Sequence, residues 1–280
     1  MQYCSANLIN LERYPIHKKG PERTAILAGV QEKLARDGCA VLKGFLTSDG
    51  IAALTQEAES VADKSHKSFS RTNAYFTQDD PSLPIDDPRR QFFDRSNAFI
   101  PADNFADHNP LRSVHNFEGF DRFIQDCLQE EKFFRYADPL ADVIINMADE
   151  GNGFPWHFDT NNFTVTLAIQ NAEAGGAFEY APGIRTGDEN FEEVKRVLEG
   201  TSEKVTVLDL EPGDLQLFRG RYSLHRVAPL KGDRPRYVAI FSYVEEPGMV
   251  GSVTRTEQLY GRTLPIHRER AGQRTDTYID

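Results

Sequence analysis

Between residues 143 and 244 the chain is a succession of short apolar runs, each closed by glycine or proline, and that rhythm leaves few folds open. Runs at 143–147, 163–170, 177–181, 204–210, 214–219, 222–230 and 236–244 read as strands. Gly175-Gly176, Pro212-Gly213, Gly220 and Gly232-Asp233 supply the turns between them. Many short strands with such turns predict a sandwich or jelly roll, mainly β, with helices added in front. The helical period appears at 22–36, again from the Thr47-Ser48-Asp49 cap towards Val61, at 117–131, and briefly at 190–198. Residues 39–45 suit one more strand.

The remaining stretches carry less pattern. Residues 1–20 read as an irregular leader, and 245–280 as a polar, loosely ordered tail. Residues 66–116 are rich in Asp, Asn, Pro and Arg with aromatic islands, which predicts a long loop packed over a substrate. The expected organisation is a single domain over 1–280. In it, 1–137 packs on a β core at 138–246, and 247–280 trails behind.

Composition removes several classes of function. A net charge of −11, with scattered basic residues, offers no basic stripe for nucleic acid. No apolar run reaches membrane-spanning length, and the first residues lack the apolar core of a signal peptide. The three cysteines are too few and too far apart for a disulfide framework or a cysteine zinc site, so a cytoplasmic address is expected.

The chemistry concentrates at Pro155-Trp156-His157-Phe158-Asp159-Thr160. His157 and Asp159 stand two residues apart on what reads as a strand, so both point to one side of it. An isolated His-x-Asp also arises by chance. Here His225 follows 68 residues later inside another strand run and adds a second imidazole. Two His and one carboxylate on one face are the donor set of non-haem Fe(II) sites, which keep positions open for O2 and a co-substrate. Arg234 and Arg236 open the next strand, where a guanidinium can grip a carboxylate with two hydrogen bonds. Arg236 shares a face with Val238 and Ile240, whereas Pro235 keeps Arg234 in the turn.

The phrases "PWHFDTNNFTVTLAIQ", "GGAFEYAP", "PGDLQLFRGRYSLHRVAPLKGDRPRYVAIFSY" and "YGRTLPIH" resemble the Fe(II)/2-oxoglutarate-dependent oxygenases. Within them the likeness is to the branch of free-amino-acid halogenases and their hydroxylase relatives. The resemblance implies a double-stranded β-helix (jelly-roll, cupin-like) core preceded by a helical region. It implies His157, Asp159 and His225 as iron ligands and Arg236, with Arg234 as the alternative, for the distal carboxylate of 2-oxoglutarate. In halogenases of this branch a small residue replaces the metal carboxylate and chloride takes its place. Asp159 fills that position here, so hydroxylation of a small molecule, a free amino acid or related amine, is the expected reaction. A carrier-bound or protein substrate, and a jelly roll that binds without catalysis, are the alternatives.

Further candidates are weaker. Asn146 could contact the co-substrate. Arg95 is the choice for a substrate carboxylate, and Asp138, with Glu179, for a substrate ammonium. Thr164 and Thr166 put hydroxyls on one face of their strand. Trp156 is expected to pack, and His17, His66, His108, His115 and His267 to be solvent-facing or structural.

Overall fold

The computed structural model describes residues 7–270. In chain order the elements are α1 (Pro21–Asp37), β1 (Cys39–Leu42), α2 (Ser48–Ser60), β2 (His66–Thr72), β3 (Phe93–Ile100), α3 (Pro110–His115), α4 (Phe120–Leu128) and β4 (Phe134–Arg135). The strand-rich part follows with β5 (Val143–Ala148), β6 (Phe154–His157), β7 (Thr164–Gln170), β8 (Ala174–Gly175) and β9 (Phe178–Ala181). After α5 (Phe191–Leu198) come β10 (Thr206–Leu208), β11 (Leu215–Phe218), β12 (Leu224–Val227), β13 (Leu230–Lys231), β14 (Arg236–Phe241) and β15 (Tyr243–Val244). Two helices close the chain, α6 (Val253–Tyr260) and α7 (Pro265–Glu269).

Local chemistry explains the helix ends. Pro21 sits in the first turn of α1, and Gly38 ends it in the left-handed conformation with its N–H on the Leu34 carbonyl. The Thr47 hydroxyl caps α2 by accepting from the Gly50 N–H.

A seven-stranded sheet runs β1-β11-β7-β14-β5-β3-β2 and a four-stranded one β10-β9-β12-β6, with antiparallel pairing in both. This is the mainly β, double-stranded β-helix architecture. The period of two sorts each strand of the large sheet into two jobs. Val143, Ile145, Val165, Leu167, Leu217 and Phe241 face a core that they share with Leu34, Leu54, Phe123 and other residues of α1 to α4. Their neighbours Ile144, Asn146, Thr164, Thr166, Gln216 and Ile240 face the opposite way, into a pocket bounded on its far side by the small sheet. The helices therefore seal one face and leave the other for chemistry.

Two expectations are corrected. Residues 66–116 are not one loop: β2 and β3 extend the large sheet beyond β5, and α3 follows. In β2 half-buried polar residues alternate with exposed ones, and its one apolar side chain, Phe69, is on the exposed face, as on an edge, so it lacks the apolar signature of a buried strand. The tail is likewise structured through Glu269. Ser252 caps α6, and α6 rests on β2 and β3. The end of the expected tail, 271–280, and the start of the leader, 1–6, lie outside the described residues. Within the leader Leu8 and Ile9 are buried, and Ile9 bridges Leu46.

His115, the last residue of α3, is fully buried against Phe120, Phe241 and Tyr243. Neither ring nitrogen has a hydrogen-bond partner among the described residues. Burial, followed by the nearby Arg135 and Arg112, pushes this imidazole down to about 2. The folded chain thus keeps His115 neutral, while the unfolded chain takes up a proton below its ordinary value near 6.5. The stability this residue permits is complete above that value and erodes as pH falls through it. Urea unfolding of His115→Leu should show a stability gain over the parent that grows by about 2 kcal/mol from pH 6.5 to pH 5.

Candidate active site

His157 ends β6 and His225 lies directly opposite it on β12, with ring centroids 4.2 Å apart. The ladder is irregular just beyond this pair, where Val227 comes to face Phe154. Pro155, which has no N–H to donate, occupies the irregular stretch of β6. Its carbonyl accepts from Nδ1 of His157 at 2.8 Å, and the Ser223 carbonyl accepts from Nδ1 of His225 at 2.9 Å. A carbonyl can only accept, so both rings carry the proton on Nδ1 and present the Nε2 lone pair. Those Nε2 atoms lie 3.6 and 3.4 Å from Oδ1 of Asp159.

Asp159 is not on the strand with His157. It sits just past the end of β6, where its N–H donates to the Gly220 carbonyl at 3.1 Å. The Thr164 hydroxyl donates to its Oδ2 at 2.5 Å. The carboxylate lies so close over Gly220 that a Cβ at that position would collide with it. Burial pushes the Asp159 carboxyl up, but His225, His157 and Thr164 more than offset this and hold it below the usual carboxylate range. Burial, together with the adjacent His225, drives the His157 imidazole well below its usual value.

One nitrogen from each ring and one carboxylate oxygen thus converge within 4.8 Å of one another. The proton-bearing nitrogens are tied back to carbonyls, and the acceptor atoms are aimed inward. This donor set fits a divalent non-haem metal, so His157, Asp159 and His225 form a candidate iron site.

The site opens into a pocket of about 240 Å³. Arg236, the first residue of β14, reaches it from the large sheet and is 7% exposed. It has no ion-pair partner among the described residues, and burial lowers its guanidinium to about 10. A buried cation with nothing to pair with is unfavourable unless a ligand supplies the anion. Gly176 lies 3.4 Å, measured from a Cβ built on it, from the Arg236 stem, so the loop can lie directly against the side chain. Arg234 is exposed, donates to the Ala172 carbonyl and does not line the pocket.

Arg95, Asn146 and Thr164 line this same pocket. Asn146 donates to the Ala98 carbonyl at 3.2 Å. Arg95 is buried and stacked on Phe76 at 4.8 Å and Phe154 at 5.1 Å; burial, with the nearby Arg255 charge, lowers it to about 9. The Phe76 ring also meets His157, with centroids 5.6 Å apart.

Asp138 is elsewhere. It is 1% exposed, accepts from the N–H groups of Leu140 and Gly251, each at 2.8 Å, and pairs with Nε2 of His267 at 2.9 Å. It therefore fastens α7 to the start of the β core and cannot receive a substrate ammonium. Asp138→Asn should cost about 1.5–3 kcal/mol of stability yet leave 2-oxoglutarate affinity unchanged, which chemical denaturation and calorimetry would read separately. Glu179 is also excluded from the pocket; it pairs with Arg226 at 2.7 Å, and Arg226 in turn covers Trp156, which packs as expected.

Sequence reasoning missed Gln216, Phe178 and Phe218, all of which line the pocket. Gln216 accepts from the Thr166 hydroxyl at 3.0 Å. A lone amide inside the apolar run Leu215-Gln216-Leu217-Phe218 was the available signal. The aromatic pair carried none, because phenylalanines on strands belong as readily to a core.

The fold and donor set together define an Fe(II)/2-oxoglutarate oxygenase architecture. The sequence model of the Halogenase D family matches residues 22–259, so the chain belongs to that family. Among solved structures, a 2OG-Fe(II) oxygenase family oxidoreductase from Burkholderia pseudomallei superposes with a TM-score of 0.53 at 12% identity, covering 82% of this chain and 94% of that one. The α-ketoglutarate-dependent epimerase SnoN of nogalamycin biosynthesis gives 0.54 at 12% identity, over 79% and 83%. EctD from S. alaskensis, solved with 2-oxoglutarate and 5-hydroxyectoine, gives 0.51 at 15% identity, over 81% and 79%. At these identities the likeness is one of fold. No curated protein sequence matches this chain. Among the described residues, no helix is long and apolar enough to cross a membrane.

Proposed function

We propose that this chain is an Fe(II)- and 2-oxoglutarate-dependent hydroxylase of a small molecule, a free amino acid or a close relative, acting as one domain. The observation that carries the reading is the burial, in one small pocket, of a convergent His157–Asp159–His225 cluster and an arginine, Arg236, with no ion-pair partner among the described residues. Bound Fe(II) would supply the oxidative chemistry that couples O2 and decarboxylation of 2-oxoglutarate to hydroxylation of a C–H bond, with succinate and CO2 as co-products.

The chain's own residues bind, orient and exclude. Arg236 pairs with the distal carboxylate of 2-oxoglutarate, and burial strengthens that pairing by removing competing water. Thr164 fixes the orientation of the Asp159 carboxylate, as the Pro155 and Ser223 carbonyls fix the two imidazoles. Arg95, held flat by Phe76 and Phe154, receives the substrate carboxylate. The pocket is smaller than the roughly 300–1,000 Å³ usual for drug-sized ligands, which favours a small substrate over a tethered or macromolecular one.

Within a family described by halogenases, Asp159 selects the outcome. A carboxylate held by Thr164 and packed on Gly220 occupies the ligand position that a halide would need. The test is anaerobic reconstitution with Fe(II), followed by 2-oxoglutarate, air and a panel of free amino acids. Stoichiometric succinate and a product heavier by one oxygen are expected; no succinate with any panel member, tethered substrates excepted, would sink the free-amino-acid reading.

A further inference from the structure

Among the described residues three that are not glycine have a positive φ: Phe76 at 57°, Gln129 at 59° and Asn190 at 45°. Gln129 closes α4, where a left-handed residue is common, and asparagine tolerates that conformation. Phe76 has neither reason for it. It ends no helix, and its Cβ is crowded against the following carbonyl, so its backbone has to be held from outside.

The hold is Asn73, fully buried just past the end of β2. Its side-chain oxygen accepts from the N–H groups of Tyr75 and Thr77 at 3.1 and 3.0 Å. Its amide donates to the Thr77 hydroxyl at 2.9 Å and the Arg89 carbonyl at 2.5 Å, and its backbone carbonyl accepts from the Phe76 N–H at 3.3 Å. The turn is also fastened to the metal-binding segment. The Ala74 carbonyl accepts at 3.0 Å from the N–H of Phe158, which stands between His157 and Asp159, and the Tyr75 ring packs on Phe158 at 5.3 Å.

What all this fixes is the half-buried Phe76 ring. Its centroid is 5.6 Å from that of His157, and the Arg95 guanidinium lies over it at 4.8 Å. Phe154, from β6, meets the same two partners at 5.9 and 5.1 Å. A metal-ligand imidazole and the arginine are thus held in register by two rings, and one ring depends on a left-handed turn.

Given the oxygenase reading above, on which this rests, we propose that Phe76 is a positioning residue. Its ring sets where Arg95 meets the substrate carboxylate relative to His157, and Asn73 keeps the ring in place. The flat face attracts the guanidinium and fixes its plane, which an aliphatic side chain of similar bulk does not do.

The test uses the whole chain with Fe(II) and 2-oxoglutarate, and as probe the standard amino acid that releases most succinate. In Phe76→Leu the KM for that amino acid should rise about ten-fold or more, that for 2-oxoglutarate should stay within about two-fold, and Phe76→Tyr should recover the first to within about three-fold of the parent. An unchanged amino-acid KM, an equal rise in both KM values, or a tyrosine no better than leucine would overturn the proposal. Thermal unfolding without ligands tests the turn itself. Phe76→Gly and Phe76→Ala both lose the ring, but only glycine relieves the crowding, so it should melt about 2 °C or more above alanine, the reverse of their usual order. Alanine melting as high would show that no strained turn sets the ring, and the proposal would fall. Absence of succinate with every standard amino acid would instead remove the free-amino-acid reading, a failure separate from either of these.

Discussion

Asp159→Ala should lower coupled turnover by at least about 100-fold, because it removes one of three metal-binding groups, and even the groups that merely support ligands contribute 10–100-fold. The same change should weaken Fe(II) binding measured anaerobically. The surroundings make the assignment sharp. The carboxylate is gripped by Thr164, approached by both imidazoles and laid against Gly220, so its removal takes away the third inward-facing donor of the cluster. Hydroxylation that survived the substitution would show that Asp159 is not a ligand. The chloride dependence of the variant carries further information. In the parent, turnover should be indifferent to chloride, since the position a halide needs is taken.

Arg236→Met should raise the dissociation constant for 2-oxoglutarate by about 30-fold or more, in line with the roughly 2–5 kcal/mol lost when one partner of a buried charge pair is truncated. Arg234→Met should change it little, because Arg234 is exposed and turned to the Ala172 carbonyl. A second readout separates ligand binding from general damage. Without ligand, the parent holds a buried guanidinium with no ion-pair partner among the described residues, so the methionine variant should be at least as stable. With Fe(II) and 2-oxoglutarate, the parent should gain thermal stability by mass action and the variant should not. If both gained equally, Arg236 would not be the co-substrate contact.

Much of this molecule was readable from residues because two regularities coincide in it. The central strands of the large sheet, β5, β7, β11 and β14, bury both faces, one under helices and one in the pocket, so their apolar runs stand out and their turns are marked by glycine and proline. Pro235 keeps Arg234 in the turn and leaves Arg236 to open β14, while the period of two that built those strands placed Thr164, Thr166, Asn146 and Ile240 on the pocket side. The metal cluster was visible because two of its members lie two residues apart and the third follows in the next strand but a few.

What escaped was held by contacts distant in sequence or made by polar residues. β2 and β3 are strands by virtue of the sheet edge they extend, and β2 offers little apolar alternation of its own. α6 buries only Thr256 and Tyr260, too narrow a stripe to announce a helix. Asp138 seemed available to substrate because its partner, His267, comes 129 residues later. Arg255, whose charge bears on Arg95, comes from that same unannounced segment. The arginine's position depends on α6 lying across β2 and β3, which no local pattern specifies.

The central claim is that this pocket oxygenates a small carboxylic acid because its third metal ligand is a protein carboxylate. The most direct measurement is mass spectrometry of the product formed under oxygen-18 gas in chloride-containing buffer, with succinate quantified in parallel. One labelled oxygen in the product, equimolar succinate and no chlorine is the predicted result. A chlorinated product, or succinate formed without any oxygenated product, would contradict it.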